Sequence, residues 1–386
     1  MNQYMIVKKH NNIKLNICIY KFFYLGYYKA MQNNNLENKI AFITSLYQED
    51  CFTSGGVKLN YLLLKYFKEK DDFIFDVYAK DYDAKVSLPD KIYPYEMFNE
   101  TVAKKYKLVL SEKGIFGSDV TYLHDHSNKF RNKFMYKKWY YNIIYKIISR
   151  KKYLERKKID EIIQKHLKNT KKIIVSSNIL KEDCIHNYKI EASKIHIIPP
   201  PVDYEPIKHV VKNEKFIFGI SATGFERKGG YFLLKAVAKM KKQKYSNFKV
   251  KIILKKENLF IKFLTIYYGI SKYIEFLPIQ KNMCDFYDSI DCLVMPSILE
   301  PFGMVATEAM MNSKPVIVSK IAGVSDIIKD GVNGFIVNNK NLDQKMQQMI
   351  NISNEDYKKM SKNAYNSVVD FTCENFAKKY LEILPQ

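Results

Sequence analysis

The chain has 386 residues, of which 47% are hydrophobic and 27% are charged. These fractions exclude a wholly disordered chain, a collagen-like repeat and a protein with many membrane spans. Its 63 Lys and Arg residues exceed its 40 Asp and Glu residues and leave a formal net charge of +23. This excess fits an anionic partner such as nucleic acid, an acidic membrane surface or a phosphorylated substrate, and it also fits codon bias in a lysine-rich proteome.

Residues 1–38 form a predicted N-terminal extension. Its apolar stretch 13–28 contains two lysines and an asparagine, and it is too short for a membrane span of about 20 apolar residues. No cleavage motif follows it, so we expect a dispensable segment, either a weak interfacial helix or sequence ahead of a start at Met31.

The six cysteines form no C-x-x-C pair, which predicts free thiols in a cytoplasmic protein rather than a zinc or disulfide framework.

Short apolar runs alternate with longer amphipathic segments along the rest of the chain. The predicted strands are 40–47, 73–78, 120–123, 173–176, 195–198, 216–220, 250–254, 273–277, 292–295, 315–318 and 335–337. The predicted helices between and after them are 57–67, 231–241, 283–289, 303–312, 324–328 and 375–384. Continuous apolar strands that alternate with helices indicate parallel sheets covered on both faces.

Three prolines, Pro199, Pro200 and Pro201, separate the two halves of this pattern. They cannot continue a helix or a central strand, so they predict a stiff connector. The predicted fold class is therefore α/β, with two doubly wound, Rossmann-like parallel-sheet domains facing a cleft. The predicted boundaries are 39–200 for the first domain, 201–214 for the linker, 215–370 for the second domain and 371–386 for a C-terminal helix that packs back toward the first.

The segment 295–310 is the richest in candidate functional residues. In an open parallel sheet, ligands bind beyond the carboxyl ends of the strands, where helix N-termini present free N–H groups. The N–H groups around Gly303 and Met304 could hold a phosphate, Glu308 could accept hydrogen bonds from two vicinal hydroxyls, and Glu300 could reach a second polyhydroxylated group. The alternative is a helix-start carboxylate beside an ordinary surface glutamate.

A second candidate lies where the predicted strand 216–220 runs into the helix 231–241. Arg227 and Lys228 stand on the loop between them, and such neighbouring cations can neutralise a diphosphate. Arg-Lys pairs are also common in so basic a chain. The loop lacks G-x-G-x-x-G, which argues against a nicotinamide dinucleotide site.

Together these motifs resemble the retaining GT-B glycosyltransferases of family 4, also called the glycosyltransferase group 1 family. The E-x7-E element matches at Glu300 and Glu308, and the Arg-Lys-Gly element matches at 227–229 with its following helix. Later strands and turns match over 314–318, 322–324 and 330–335, so the resemblance covers most of 216–340.

The resemblance implies that a nucleotide-sugar donor binds in the second domain. Glu308 would contact the ribose, Glu300 the sugar or distal phosphate, and Arg227 and Lys228 the diphosphate. The donor would also be lined by residues of the helix start, namely Phe302, Gly303 and Met304. Many members carry an arginine where this chain has Thr223, which places more of the diphosphate charge on the two loop cations.

Two candidates in the first domain would face the donor across the cleft. Gly55 and Gly56 follow the first predicted strand, as in the family's glycine-rich loop, although an ordinary tight turn is the alternative. His124 ends the predicted strand 120–123 and matches the family's histidine near the acceptor. His124 and His126 also allow a metal interpretation, but no third ligand is evident; a D-x-D motif at 81–83 fits a surface turn better.

The segment 129–172 concentrates sixteen of the basic residues, with aromatic residues interleaved in its first third. Such a mixture is typical of a surface that rests on anionic lipid. A solvated helical face with inward-packed aromatics is the alternative, and nucleic acid is disfavoured because no binding motif accompanies the charge.

These observations predict a retaining glycosyltransferase that moves a hexose from a nucleoside diphosphate sugar, with UDP as the assumed carrier, to a glycan or glycolipid acceptor. Surface polysaccharide or lipopolysaccharide synthesis, in the cytoplasm or on the inner face of the cell membrane, is the expected setting. No metal or other cofactor is expected, and Glu300, Arg227, Lys228 and His124 are the predicted catalytic residues. The alternative is a non-catalytic, basic membrane-binding protein on a decayed GT-B scaffold.

Overall fold

The computed structural model describes residues 39–47, 64–66, 74–82, 89–114, 116–135, 150–202, 213–256, 258–280, 282–338 and 340–384. Four predictions therefore lie wholly or mostly outside the described residues: the extension 1–38, the pair Gly55 and Gly56, the helix 57–67 and the linker 201–214.

The first half of the chain forms a seven-stranded sheet in the order β3-β2-β1-β4-β5-β6-β7. Every strand pairs in parallel with its neighbours. The strands are β1 Lys39–Tyr47, β2 Ile74–Tyr82, β3 Lys91–Pro94, β4 Leu108–Glu112, β5 Val120–Leu123, β6 Lys172–Val175 and β7 Ile195–Ile197. Asp81 belongs to β2, so the prediction of a loop at the D-x-D motif was wrong for that residue; β3 and β4 were not predicted.

Within the described residues, four helices with defined bounds accompany this sheet, and side-chain caps fix the start of two of them. They are α1 Glu100–Ala103, α2 Asn128–Met135, α3 Arg150–Asn169 and α4 Asn178–Asn187. Asn99 accepts hydrogen bonds from two N–H groups in the first turn of α1, and the Ser177 hydroxyl accepts one from Leu180 of α4. Such caps satisfy N–H groups that a helix start otherwise leaves without partners.

The second half forms a six-stranded parallel sheet in the order β10-β9-β8-β11-β12-β13. The strands are β8 Phe216–Ser221, β9 Phe248–Ile253, β10 Ile274–Leu277, β11 Cys292–Met295, β12 Val316–Ser319 and β13 Gly334–Val337. The helices are α5 Gly230–Lys242, α6 Leu259–Tyr267, α7 Met283–Asp288, α8 Met304–Met311, α9 Leu342–Asn351, α10 Asn354–Asn366 and α11 Cys373–Ile383. The predicted helix 324–328 is instead the 3-10 helix Gly323–Ile327, and α6, α9 and α10 were not predicted.

Both faces of the second sheet are covered. Along β11, Cys292 and Val294 pack into one hydrophobic cluster, and Leu293 and Met295 pack into another on the opposite face. Successive side chains of a strand point to opposite faces, so two clusters on one strand require layers on both sides. This arrangement confirms the predicted α/β class, and the six second-half strand predictions differ from the observed strands by at most two residues at either end.

The carboxyl ends of the two sheets meet at one junction. Ser177, which follows β6, donates its hydroxyl to the carbonyl oxygen of Pro301 at 2.8 Å, and the N–H of Asn178 donates to the Asp326 carboxylate at 2.7 Å. At Gly323 the packing leaves no room for a side chain, since a Cβ there would lie 2.1 Å from the Pro301 carbonyl oxygen. The loop that follows β11 is thus held from both domains.

The C-terminal helix α11 lies against the first sheet. The ring of Phe376 is 6.1 Å from the ring of Tyr122 on β5, and Tyr380 is fully buried on the same helix. Just before the helix, the carbonyl of Phe371 accepts a hydrogen bond from the N–H of Val202.

Along the described ranges, no helix is both long and apolar enough to cross a membrane. Four cysteines in these ranges are free thiols: Cys184, Cys284, Cys292 and Cys373.

The junction gives a first prediction. Gly323→Ala should lower the free energy of unfolding by about 1–3 kcal/mol, because the new methyl group overpacks the contact between Pro301 and Ser177. Chemical denaturation measures the change. Gly224→Ala is the matched control, since only the Arg227 side chain approaches its Cβ position, at 3.8 Å; equal stability of the two variants would contradict the described packing.

Candidate functional site

Arg227 and Lys228 lie on a tight turn that joins β8 to α5. The N–H of Lys228 donates to the carbonyl of Gly224 at 2.8 Å. Gly229 follows with a φ of 78°, and a Cβ there would lie 2.0 Å from the carbonyl oxygen of Pro296. Only glycine tolerates both the left-handed backbone and this approach, so the turn is pressed against the residue that follows β11.

The Glu300 carboxylate lies between the two cations. Lys228 Nζ is 2.5 Å from Glu300 Oε2, and Arg227 Nη1 is 3.2 Å from the same oxygen and 3.1 Å from the carbonyl oxygen of Leu299. Glu300 and Lys228 are each 8% exposed. Burial alone would raise the pKa of Glu300, but the charges of Lys228 and Arg227 outweigh it and lower that pKa, so the carboxylate is ionised.

This cluster occupies the point where the strand order of the second sheet reverses. Because β8 and β11 are neighbours while β9 and β12 extend to opposite sides, the connections after β8 and β11 diverge and leave a crevice. Arg227 and Lys228 follow β8, and Glu300 follows β11. The three predicted residues are therefore brought together at the position where open α/β sheets bind ligands.

The loop from Glu300 to Gly303 is fixed along its length. Glu300 forms an isolated parallel bridge with Ala322, and the carbonyl of Phe302 accepts a hydrogen bond from Val324 at 2.8 Å. Gly303 has a φ of 109°, and a Cβ there would lie 2.5 Å from Met295 Cε. The loop therefore places the start of α8 next to Glu300, and Met304 is the first residue of that helix.

Phe302 differs from the other predicted donor-binding residues. Its side chain is 5% exposed and belongs to the hydrophobic cluster beneath the loop. The ring therefore supports the loop from below, and its predicted contact with a donor stays a prediction.

Glu308 lies about one turn into α8 and is half-buried. Its Oε2 accepts a hydrogen bond of 2.6 Å from the hydroxyl of Tyr287 on α7, a residue that is completely buried. Tyr287 fixes one oxygen of the carboxylate, and a carboxylate has lone pairs for further donors. Tyr287 was not predicted, because 21 residues separate it from Glu308 and no local motif marks it.

His124 stands at the carboxyl end of β5 in the first domain. Its Nδ1 is buried and, within the described residues, has no hydrogen-bond partner. Burial lowers the pKa of this imidazole, against the opposing effect of the Glu112 and Asp125 carboxylates. A neutral imidazole can accept a proton or a hydrogen bond at one ring nitrogen.

The loop after His124 is anchored by a buried carboxylate. Asp183 on α4 accepts hydrogen bonds from the N–H and the hydroxyl of Ser127 at 2.8 and 2.7 Å, and it lies 3.0 Å from His126 Nδ1. The His126 ring also stacks on Phe130 at 4.3 Å between centroids. His126 is thus engaged in fixing the loop. Among the described residues, no group of three or more His, Cys, Asp or Glu side chains could hold a metal ion.

The basic segment 129–172 includes α3, most of whose residues are exposed or half-exposed. Its exposed residues include three large aliphatic ones, Leu154, Ile159 and Ile162. The Asp160 carboxylate accepts hydrogen bonds from the N–H groups of Asn128 and Lys129, which joins α3 to the start of α2. Of the aromatic residues in its first third, Phe130 and Phe134 lie on α2 with their rings 4.7 Å apart, and the others, within 136–149, lie outside the described residues.

A comparison with known protein families matches the part of the chain that holds this site. Residues 203–367 match the model of the family described as Glycosyl transferases group 1. The second half of the chain is therefore similar to a glycosyltransferase group 1 domain. The matched range includes the whole cluster of Arg227, Lys228 and Glu300, together with Glu308.

Similar proteins extend the comparison beyond this domain. Over 203 residues the chain is 33% identical to the protein named "Uncharacterized glycosyltransferase MJ1178" of Methanocaldococcus jannaschii, an alignment that covers 50% of this chain and 52% of the relative. The chain spans about half, or less, of the length of the curated relatives it matches first.

Solved structures share the fold of most of the chain. WaaG, a glycosyltransferase involved in lipopolysaccharide biosynthesis, superposes with a TM-score of 0.71 at 16% identity, over 89% of this chain and 99% of WaaG. Alr3699/HepE of Anabaena, in complex with UDP and glucose, superposes with a TM-score of 0.65 at 15% identity, over 90% and 99% of the two chains. The predicted GT-B fold is confirmed.

The ion cluster of the second domain gives a second prediction. Lys228→Met should lower the free energy of unfolding at neutral pH by about 3 kcal/mol, because it leaves a buried carboxylate with less compensating charge. In the parent, the lowered pKa means that Glu300 stabilises the fold above its ordinary pKa and loses this effect as the pH falls. In the variant, acid protonates Glu300 and relieves the penalty, so the stabilities of the two proteins should converge as the pH falls below the ordinary glutamate pKa of about 4.3.

Urea unfolding at several pH values measures this convergence. Lys235→Met is the matched control, because Lys235 is an exposed lysine of α5, and it should change stability little at any pH. A Lys228→Met effect that does not depend on pH would contradict the ion pairing.

Proposed function

We propose that the chain transfers a sugar from a nucleoside diphosphate sugar to a hydroxyl group of an acceptor. The observation that carries the proposal is the Glu300 carboxylate that holds Lys228 and Arg227 at the crevice between β8 and β11. The cluster has two cations and one carboxylate, so it retains positive charge for an anionic ligand. The match of 203–367 to a glycosyltransferase group 1 domain supports the assignment.

The leaving diphosphate would be bound by Arg227, Lys228 and the start of α8. As the bond to the sugar breaks, negative charge develops on the diphosphate, and cations fixed in advance stabilise it without reorganising. The first N–H groups of a helix have no partners within the helix and add a partial positive charge. Glu300 fixes the two cations, and its carboxylate would bind the hydroxyl groups of the transferred sugar.

Glu308 would bind the ribose of the donor. Two vicinal hydroxyls can each donate to a carboxylate, and the Tyr287 hydroxyl already orients Oε2. Because the buried tyrosine already orders the Glu308 side chain, donor binding would cost less conformational entropy. The structure of Alr3699/HepE with UDP and glucose supports UDP and a hexose as the first donor to try.

His124 would act on the acceptor side of the reaction. Its lowered pKa keeps the imidazole neutral at neutral pH, as a group that accepts a hydrogen bond from an acceptor or sugar hydroxyl must be. We extend the proposal to retention of the anomeric configuration and to a reaction whose leaving-group charge is stabilised by the protein's own cations, as the family resemblance implies.

The acceptor is proposed to be a glycan or glycolipid of the cell surface. WaaG is involved in lipopolysaccharide biosynthesis, and a glycolipid acceptor would require the enzyme to work at a membrane. The basic segment 129–172 is proposed to contact anionic lipid, because cations near such a surface each contribute about 1 kcal/mol.

Activity on a panel of nucleoside diphosphate sugars tests the proposal. The parent should release nucleoside diphosphate from at least one donor, and Glu308→Ala should raise the KM for that donor at least tenfold, since a charge-assisted hydrogen bond contributes about 1.5–3 kcal/mol. Glu355→Ala, at an exposed glutamate of α10, is the control and should leave the KM unchanged.

Two results would contradict the proposal. An unchanged KM in folded Glu308→Ala would show that Glu308 does not bind the ribose. Complete inertness toward every donor, together with tight binding to anionic vesicles, would favour the non-catalytic, membrane-binding protein instead.

A further inference from the structure

Helix α6 of the second domain exposes an apolar face. Five large hydrophobic residues there are more than half exposed: Leu259 (80%), Phe260 (57%), Phe263 (57%), Ile266 (69%) and Tyr267 (72%). The opposite face holds Ile261 and Thr265, which are buried against the sheet. The helix is thus apolar on the side that packs and apolar again on the side that faces outward.

An outward helix face in a water-exposed protein is normally polar. Helix α10 follows this rule, since its exposed positions include Glu355, Lys358 and Lys359. On α6 the exposed residues recur at intervals of three and four, so they form one continuous stripe rather than isolated side chains. A contiguous apolar patch of this kind marks a binding surface.

Lysines surround the stripe. Lys255 and Lys256 precede the helix and Lys272 follows it, all three exposed. From the neighbouring helix α5, the ammonium group of Lys241 reaches Gly269, just beyond the end of α6. The helix itself contains no acidic residue, and the acidic residues nearest in sequence are Glu257 before it and Glu275 on β10.

We propose that α6 docks on an anionic lipid bilayer, with its apolar stripe in the interface and the lysines on the headgroups. Phenylalanine and tyrosine beside cations are the composition of helices that lie in a membrane surface. A second copy of the chain fits the surface less well, because a symmetric contact through the stripe would bring the same lysines of both copies together.

Helix α6 begins at the same edge of the sheet as the candidate site. The helix follows the carboxyl end of β9, and Ile253 of β9 pairs with Ser221 of β8, so it begins at the same edge of the sheet as the loop of Arg227 and Lys228. Docking through α6 would bring this edge close to the bilayer. That last step rests on the proposed function, since it matters only for an acceptor carried by lipid; the docking itself does not.

Vesicle co-sedimentation of the full chain tests the proposal. The parent should sediment with vesicles of phosphatidylcholine and phosphatidylglycerol in equal amounts and much less with phosphatidylcholine alone. Phe260→Ser with Phe263→Ser should raise the lipid concentration for half-binding at least about tenfold. The control is Met97→Ser with Val332→Ser, which alters two exposed apolar residues elsewhere and should bind as the parent does.

A second double variant tests the lysines that surround the apolar stripe. Lys255→Ser with Lys256→Ser should weaken binding at low salt and flatten its salt dependence, because headgroup attraction is screened within about 10 Å at 0.1 M salt. Donor hydrolysis in solution should be unchanged in the phenylalanine variant and in the lysine variant, which separates a failure of docking from a failure of the proposed function.

Insertion is measured directly with a reporter. The chain has one tryptophan, Trp139, so Phe263→Trp in a Trp139→Phe background reports on α6 alone. Its fluorescence should shift to the blue on anionic vesicles and be quenched by brominated lipid. Unchanged vesicle binding of the double phenylalanine variant, equal binding to neutral and anionic vesicles, or loss of a dimer in sedimentation velocity without loss of vesicle binding would each overturn the proposal.

Discussion

The ion cluster of Lys228, Arg227 and Glu300 is the interaction on which the second domain's site depends. A buried carboxylate is tolerated only when opposite charges compensate for its lost hydration, and here both cations come from one turn. That turn can reach Glu300 only because Gly229 adopts a left-handed backbone against Pro296. The cluster, the turn and the loop are therefore one unit, and the charges are placed before any ligand arrives.

The same loop connects the cluster to the first domain. Pro301 follows Glu300 directly, and its carbonyl accepts the hydroxyl of Ser177 at the end of β6. A movement of one domain against the other would therefore act on the residue next to the ion cluster. This hydrogen bond therefore connects the first domain, where His124 follows β5, to the ion cluster of the second domain.

Much of the fold could be predicted because parallel strands buried on both faces are continuous apolar runs. The exceptions have physical reasons. Strand β3 is an edge strand with exposed and half-exposed residues and a terminal proline, and β4 ends in the buried polar residues Ser111 and Glu112. Helix α6 has exposed apolar side chains opposite its buried residues, so its sequence lacks the polar face that marks an amphipathic helix.

The site could be predicted where its residues lie in short motifs. Arg227, Lys228 and Glu300 were expected together, and the strand order explains why they meet. Tyr287 was missed because its contact with Glu308 depends on how α7 packs against α8, which no local pattern encodes. Likewise, Phe302 lies in a predicted donor motif but packs into the core, because a motif does not specify which side chains of a loop point inward.

The central claim is that the ion cluster binds a diphosphate. Calorimetric titration of the parent with UDP, GDP, ADP and TDP and with their monophosphates tests it most directly. The account predicts that at least one diphosphate binds about tenfold or more tightly than the monophosphate of the same base, since the additional phosphate gains charge-assisted hydrogen bonds. Equal affinity for the diphosphate and monophosphate of every base would contradict it.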